Sequence, residues 1–472
     1  MGGNAGVRTF KLGAASAAML ALCGCVLYPH ERAVAPPLPA AWVDAPVDAA
    51  VPVADWWMRF NDPTLNQLVQ EALANGPSVR IAALRLREAR AVAQVGVAQN
   101  LPSINGVGSG NYSRAIGDTP NNERMTGAYG PQVSWEVPLL DRIYAAAVAA
   151  GANTASASAD QRAAQIALVA DVAQAYVDLR AAQNTKTALD ELAQSADQLA
   201  GILEISAGAG IAAPADAANA RRLAEGTRAR TADAAIGVRV AENRLAVLRG
   251  LAPGTEADAM RLALQHVSDT PTLPLAAAPA APADLLRLRP DVARAEAQTL
   301  LAAAALADAR SNLMPQLNLT GMITTTENII GTTATDGARA ATATPLITIP
   351  LWNWGALRAA SRQREAQFQE SLIQYRQTVA QAVAEASNAI VQLDQGRMRL
   401  ESARAAEAAA QVSDNGARAA YQAGLRSLAD RLTADQQLID ARLSRISAEQ
   451  AQASAAIATY RAFAAGPRLE TR

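Results

Sequence analysis

The sequence predicts a mainly α-helical chain in which one large unit, a long helical hairpin joined to a pair of short strands, is written twice. Three observations carry this reading. Alanine is abundant and aromatics make up only 4% of the 472 residues. That composition suits long, closely packed helices, because Ala has the highest helix propensity and lets helix backbones approach. Apolar residues recur at 3-4 spacing over long stretches, as in a coiled-coil seam. Motifs of the first half return in order in the second, about 213 positions later, a period far longer than a solenoid's.

The matched motifs keep their order and nearly their spacing. Pro77-Ser78-Val79 pairs with Pro290-Asp291-Val292, Leu101-Pro102 with Met314-Pro315, and Pro138-Leu139 with Pro350-Leu351. Ala209-Gly210-Ile211 pairs with Ala423-Gly424-Leu425, and Asp216 with Asp430. The body thus divides into repeat 1 (56–250), a linker or equatorial segment (251–283), repeat 2 (284–466) and a tail (467–472).

Each repeat opens with a helix, about 63–100 and 290–311, started by Pro63 and by Pro290-Asp291. Proline suits the first turn, and an acid there complements the helix dipole. Strands are expected at about 102–113, 126–138, 315–326 and 340–351. Val133, Trp135 and Val137 alternate with Ser134 and Glu136, and Ile347, Ile349 and Leu351 surround Thr348. Such alternation fits outer-membrane barrel strands, with Glu136 facing a wet lumen, and equally an ordinary soluble hairpin. Very long helices follow at about 141–206 and 355–421, each roughly 100 Å long at 1.5 Å per residue. Their seams are Leu189, Leu192, Ala196, Leu199, Leu203 and Val379, Val383, Ala386, Ile390, Leu393. Glycine-containing turns lead to return helices at about 214–249 and 427–463, the second carrying Ile439, Leu443 and Ile446.

The N-terminus reads as an address. Arg8 and Lys11 precede an apolar run too short to span a membrane, then Leu22-Cys23-Gly24-Cys25. This pattern resembles a bacterial lipobox, with residues 1–24 a signal peptide and Cys25 the acylated first residue. Val26 follows, and the resemblance then favours the outer membrane. Residues 25–55, rich in proline, form an extended, lipid-anchored segment. Downstream no run of 18 or more apolar residues suggests a helical span.

Composition excludes several classes. The only cysteines are Cys23 and Cys25 and the only histidines His30 and His266, so the body hardly has the residues for a Cys/His metal site or a Ser-His-Asp triad, and composition alone leaves open only an all-carboxylate site. With no phosphate-binding glycine loop either, no enzyme, metal or cofactor is expected beyond the covalent lipid. Forty-two basic against 43 acidic residues gives no charge bias toward nucleic acid. If the strands are membrane strands, four cannot close a barrel, so several chains must share one.

The resemblance to a family rests on Asp55-Trp56-Trp57 with Phe60, Asp62-Pro63 and Leu65; on Leu285-Leu286-Arg287-Leu288-Arg289-Pro290-Asp291-Val292 with Ala295-Glu296; on Ala173 to Tyr176; and on Pro350-Leu351-Trp352 with Gly355 and Tyr421-Gln422-Ala423-Gly424. Over nearly the whole mature chain it resembles the TolC-like outer-membrane factors, in the lipid-anchored NodT-type efflux class. The segment Arg289-Pro290-Asp291 reads as scaffold, a good helix start. At the chain end, Tyr460 to Gly466 replaces a more glycine-rich ending and should cap a helix.

The resemblance implies a homotrimer with a membrane β-barrel of twelve strands and a long periplasmic α-barrel. Its implied partners are a periplasmic adaptor, an inner-membrane RND-type pump and outer-membrane lipid. The implied role is the passive outer-membrane exit duct of a tripartite efflux system. The alternatives are the duct of a type I protein-secretion system and a pore-free periplasmic coiled-coil scaffold. The resemblance further implies a periplasmic gate at Asp216, Tyr421, Arg426 and Asp430, including an Arg426–Asp216 bridge, with Thr433 where relatives place an acid. It implies adaptor docking at Gly210-Ile211 and Gly424-Leu425.

Overall fold

The computed structural model describes residues 36–38, 54–114, 123–137, 140–255, 258–271, 289–330 and 333–467. The signal segment, Cys25, most of the 25–55 stretch, Pro138-Leu139, residues 272–288 and residues 468–472 lie outside them. A short 3-10 helix, Trp56–Phe60, precedes α1 (Pro63–Asn75) and α2 (Pro77–Ala98). Then come β1 (Ser103–Arg114), β2 (Glu123–Val137), α3 (Leu140–Gly208), α4 (Pro214–Leu248) and the short α5 (Asp258–Gln265). The second half holds α6 (Pro290–Ser311), β3 (Gln316–Ile330), β4 (Thr333–Thr348), α7 (Trp354–Gln422) and α8 (Leu428–Ala462). In each half the long helix has 69 residues and the return helix 35. No helix among the described residues is long and apolar enough to cross a membrane.

Two expectations are corrected and a third is filled in. The helix expected over 63–100 is two helices, broken at Gly76. Proline 77 lacks the N–H that would continue the ladder and pushes the preceding residue out of the helical region. Gly76 accordingly sits at ψ 128°, and a Cβ there would lie 2.4 Å from the Ala72 carbonyl oxygen. The 251–283 linker contains α5, whose Met260 and Leu264 enter the core. β3 runs on to Ile330 and β4 spans Thr333–Thr348 rather than 340–351, because the Thr- and Ala-rich start of β4 carries no alternating apolar signal.

The chain divides into two compact units, one of residues 85–158 and 294–377 and the other mainly of 36–84, 159–293 and 378–472. In the second unit the N-terminal tryptophans are core residues. Trp56 stacks on Tyr460 at 4.8 Å with a 7° interplanar angle. Arg59 donates to the Tyr460 hydroxyl at 3.0 Å, and the Asp55 N–H to the Gly466 carbonyl at 3.4 Å. Asp62 caps α1 by accepting from the Thr64 and Leu65 amides at 2.9 and 3.2 Å. The same carboxylate accepts the Tyr176 hydroxyl at 2.5 Å. Burial and this bond push the Tyr176 pKa up to about 12. Buried Arg180 donates to the Tyr176 oxygen at 2.9 Å and to the carbonyls of Ala263, Leu264 and His266, which fastens the C-terminal end of α5 onto α3. The predicted seam is buried at Leu189, Leu192, Ala196 and Leu199, at Val379, Ala386 and Ile390, and at Ile439 and Ile446.

The chain end caps α8, with Ala464 in the left-handed region at φ 53°. The start of α6 is tied to that end. Buried Arg289 donates to the Ala462 carbonyl at 2.7 Å, grips Asp291 at 3.0 and 2.8 Å, and reaches Glu385 at 2.6 Å. A cation at a helix C-terminus also complements its dipole. Burial raises the Asp291 carboxyl pKa, but the Arg289 fork and the Val292 amide outweigh it and hold the group below its ordinary value. A depressed folded pKa stabilises the fold above the ordinary carboxylate range, and this is lost as pH falls through the folded value. Arg289→Met should therefore cost about 2 kcal/mol near neutrality by stranding its acceptors. Asp291→Asn should be less stable than wild type at neutral pH, with the gap closing below about pH 4. Urea unfolding across pH checks both; a gap independent of pH would remove the ion pair as its source.

Candidate functional site

Two places concentrate unusual surface. The first is the sheet, which lies with the helix segments of residues 85–158 and 294–377. Its strands run in the order β1-β2-β3-β4, all antiparallel, so within one chain β1 and β4 are its edges. Residues directly opposite in an antiparallel ladder share a face. Val137, Leu317 and Ile347 are in register, as are Trp135, Leu319 and Pro345. Ile104, Val133, Gly321 and Ala343 form the next row, and Ile323 pairs with Ala341. That face is apolar over most of its height. The opposite face carries Ser103, Ser134, Thr320 and Thr344 in one row, Glu136, Asn318 and Leu346 in another, and Gln132, Met322 and Thr342 in a third. At the end far from the helices the apolar face becomes polar, where Tyr129 donates to Glu327 at 3.1 Å.

This two-sidedness is what a membrane strand needs, with one face toward hydrocarbon and the other toward water. Large apolar side chains such as Ile104 and Ile323 are nonetheless exposed within one chain, as are Ile347 and Tyr112. Glu136 lies on the polar face, ion-paired with Arg142, which also approaches Asp308 at 3.4 Å. The three line a cavity of about 610 Å³ together with Gln99, Asn100 and Asn153.

The second place is the pair of turns joining the long and return helices. Both end in the same hydrogen-bond motif. Ile211 donates to the Ser206 carbonyl at 2.8 Å and Gly210 to Ala207 at 3.0 Å; Leu425 donates to Ala420 at 2.8 Å and Gly424 to Tyr421 at 2.9 Å. The motif needs a left-handed residue, met by Gly210 at φ 73° and Gly424 at φ 72°. The apolar residue that follows commonly folds back onto its helix. Here Ile211 and Leu425 instead stand 82% and 79% exposed.

The predicted gate residues sit on these turns. Ser427 and Asp430 form a reciprocal capping box at the start of α8. The Ser427 hydrogen bonds, helped by the Arg426 charge, hold the Asp430 carboxyl below its ordinary value. Asp216 occupies the first turn of α4, behind Pro214. Tyr421 lies under the Arg431 guanidinium, 5.8 Å from ring centroid to Cζ. Thr433 turns its hydroxyl back to the Ala429 carbonyl at 3.0 Å. The expected Arg426–Asp216 bridge is not formed within one chain: no ion pair among the described residues joins them. Asp216 lies in the first turn of α4 and Arg426 in the turn before α8, at the bends of two different hairpins.

Sequence reasoning missed the contacts that do tie the two hairpins. Ser195 of α3 donates to Asp435 of α8 at 2.6 Å, and Asp435 also takes Arg418 of α7 at 3.2 Å. Arg418 lies 2.9 Å from fully buried Asp414. Nearby, Arg442 joins Glu191 at 2.5 Å and Glu407 at 3.3 Å. Only the i,i+4 spacing of Asp414 and Arg418 was visible in the chain; the rest depends on pairing of distant helices. The sheet yields a direct test. Leu319→Arg, on the apolar face, should cost about 2–4 kcal/mol and sharply lower yield in membranes, while the adjacent Thr320→Arg should be tolerated. Equal yields of the two variants would contradict the facing assigned here.

Comparison with known proteins agrees with this architecture. The family model described as outer membrane efflux protein matches residues 68–251 and 281–465. The chain is 27% identical over 462 residues to the antibiotic efflux pump outer membrane protein ArpC of Pseudomonas putida, covering 94% of this chain and 93% of that protein. It is also 27% identical over 454 residues to the cation efflux system protein CusC of Escherichia coli, covering 95% and 97% of the two chains. Among solved structures, the outer-membrane channel OprN superposes with a TM-score of 0.84 at 26% identity, covering 94% of this chain and 99% of that one. The chain belongs to the outer membrane efflux protein family.

Proposed function

We propose that this chain is one subunit of a homotrimeric exit duct for a tripartite efflux system, anchored by lipid on Cys25. The observation that carries the proposal is the four-stranded sheet, apolar on one face and polar on the other, with two unpaired edges per chain. In lipid every backbone group must be satisfied, so an open edge must pair with another copy. Three copies give twelve strands, within the range of membrane barrels. The polar face then lines a wet passage, and nothing in it needs a catalytic group.

The helical turns supply the other two roles. Ile211 and Leu425, exposed beside Gly210 and Gly424, form apolar knobs on which an adaptor's helical hairpin docks. The gate comprises Asp216, Tyr421, Arg426 and Asp430, with Arg426 reaching a carboxylate of a neighbouring subunit. Such a charge-assisted contact is directional and breakable, so a bias of a few kcal/mol suffices to shift the population of open ducts. The ties from Asp435 to Ser195 and from Arg442 to Glu191 hold the hairpins of one subunit together behind the gate.

Detergent-extracted protein should have three times the subunit mass and form pores in planar bilayers. Arg426→Ser should raise single-channel conductance several-fold. Unchanged conductance would remove Arg426 from the gate, and a monomer that never conducts would favour a coiled-coil scaffold instead.

A further inference from the structure

The segment leaving β4 has features that the duct reading does not use. Ile347 lies on the apolar face of the sheet, and Ile349 and Leu351 continue its alternation past Thr348, where the ladder ends. All three are exposed within one chain, Leu351 to 82%. Trp352 is fully exposed, and Trp354, at the start of α7, is also exposed. Across the same end of the sheet, Trp135 on the apolar face donates its indole N–H to the Asn100 carbonyl at 3.1 Å. Indoles with an apolar body and a satisfied polar edge favour the boundary between hydrocarbon and water.

A basic stripe lies directly beyond these indoles. Trp354, Arg358 and Arg362 follow at i, i+4 and i+8 on α7, so they lie along one side of the helix. The Arg358 guanidinium stacks over the Trp354 ring at 3.8 Å. Arg364 is engaged with Gln367 at 2.9 Å. From Trp352 the chain carries three arginines before its first carboxylate, Glu365, which approaches Arg310. Among the described residues of one chain neither Arg358 nor Arg362 has a carboxylate partner. The order along the chain is therefore apolar strand face, indoles, then unpaired guanidinium groups. A protein crossing a bilayer meets acyl chains, interface and phosphate headgroups in that same order.

We infer that Leu351, Trp352, Trp354, Arg358 and Arg362 form a collar that docks on the periplasmic leaflet of the outer membrane and selects anionic phospholipid. Leu351 and the indoles sit at the acyl-headgroup boundary. The two arginines bind the phosphodiester, Arg358 held in place by its stack on Trp354. The inference rests on the sheet being a membrane sheet, and it adds a lipid preference that a barrel alone does not require. It also sets the depth of the sheet in the bilayer independently of the anchor at Cys25.

The full chain can be tested in phosphatidylcholine vesicles with and without phosphatidylglycerol. Trimer mass and conductance are measured on the same samples. The emission difference between wild type and Trp352→Phe isolates Trp352. That signal should be quenched by lipid brominated near the headgroup. Mass spectrometry of lipid retained after detergent extraction should show phosphatidylglycerol enriched over phosphatidylcholine. Arg358→Gln and Arg362→Gln should each lower the enrichment roughly fivefold while leaving conductance unchanged. Equal retention of the two lipids by wild type would overturn the inference. So would a Trp352 signal untouched by brominated lipid, the result if a second copy covers the collar. If trimer mass and conductance persist in those cases, only the collar fails; if they are lost as well, the membrane reading of the sheet fails with it.

Discussion

The structure depends on one constraint, the unsatisfied backbone along the outer edges of β1 and β4. Inside one chain the ladder is complete between neighbours, yet each edge strand leaves a row of N–H and C=O groups unpaired. Water would satisfy these groups for a soluble sheet, but hydrocarbon cannot. A sheet whose apolar face needs lipid and whose edges forbid it is the constraint that the proposed sharing between copies would relieve. The exposed Ile104, Ile323 and Ile347 belong to the same logic, since in one chain their apolar face is turned to solvent. In the proposed duct, pairing between copies and membrane insertion are two aspects of one requirement.

The helical part solves a different problem. Chains of this composition cannot build a core from aromatics, so they use many small contacts along long seams. Alanine and leucine rows at Leu189, Leu192, Ala196 and Leu199 pack closely with little side-chain entropy to lose. The few large side chains are concentrated where chain ends and connections meet. Trp56, Tyr460, Tyr176, Arg180 and Asp62 gather the N-terminal motif, the C-terminal cap and the end of α5 into one core. Arg289 does the same for the start of α6. The family-like motifs in these places are therefore mostly scaffold, whereas the surface features that can meet partners are plain. They are two exposed apolar residues after glycine turns and a short run of tryptophan and arginine.

Much of this was legible in the chain. The long helices expected over 141–206 and 355–421 are Leu140–Gly208 and Trp354–Gln422. Helix length and period are local properties, set by uninterrupted helix formers and ended by glycine and proline. The left-handed turns at Gly210 and Gly424 follow from the same local chemistry. Strand existence was readable from alternation, but the β4 start was not, because Thr and Ala fit either face. The break at Gly76 was missed although Pro77 announced it, since the apolar pattern runs on through the break.

By itself, then, the sequence determined the helices, the doubled plan and the candidate turns, all of which rest on neighbours in the chain. Tertiary structure alone decided the sheet register, which aligns Trp135 with Leu319 and Pro345 and so separates an apolar from a polar face. It also decided that Asp435 binds Ser195 and Arg418, and that Arg426 and Asp216 do not meet within one subunit. These pairings join residues far apart in sequence. Their partners are chosen by how helices and strands pack, and no local spacing encodes that choice.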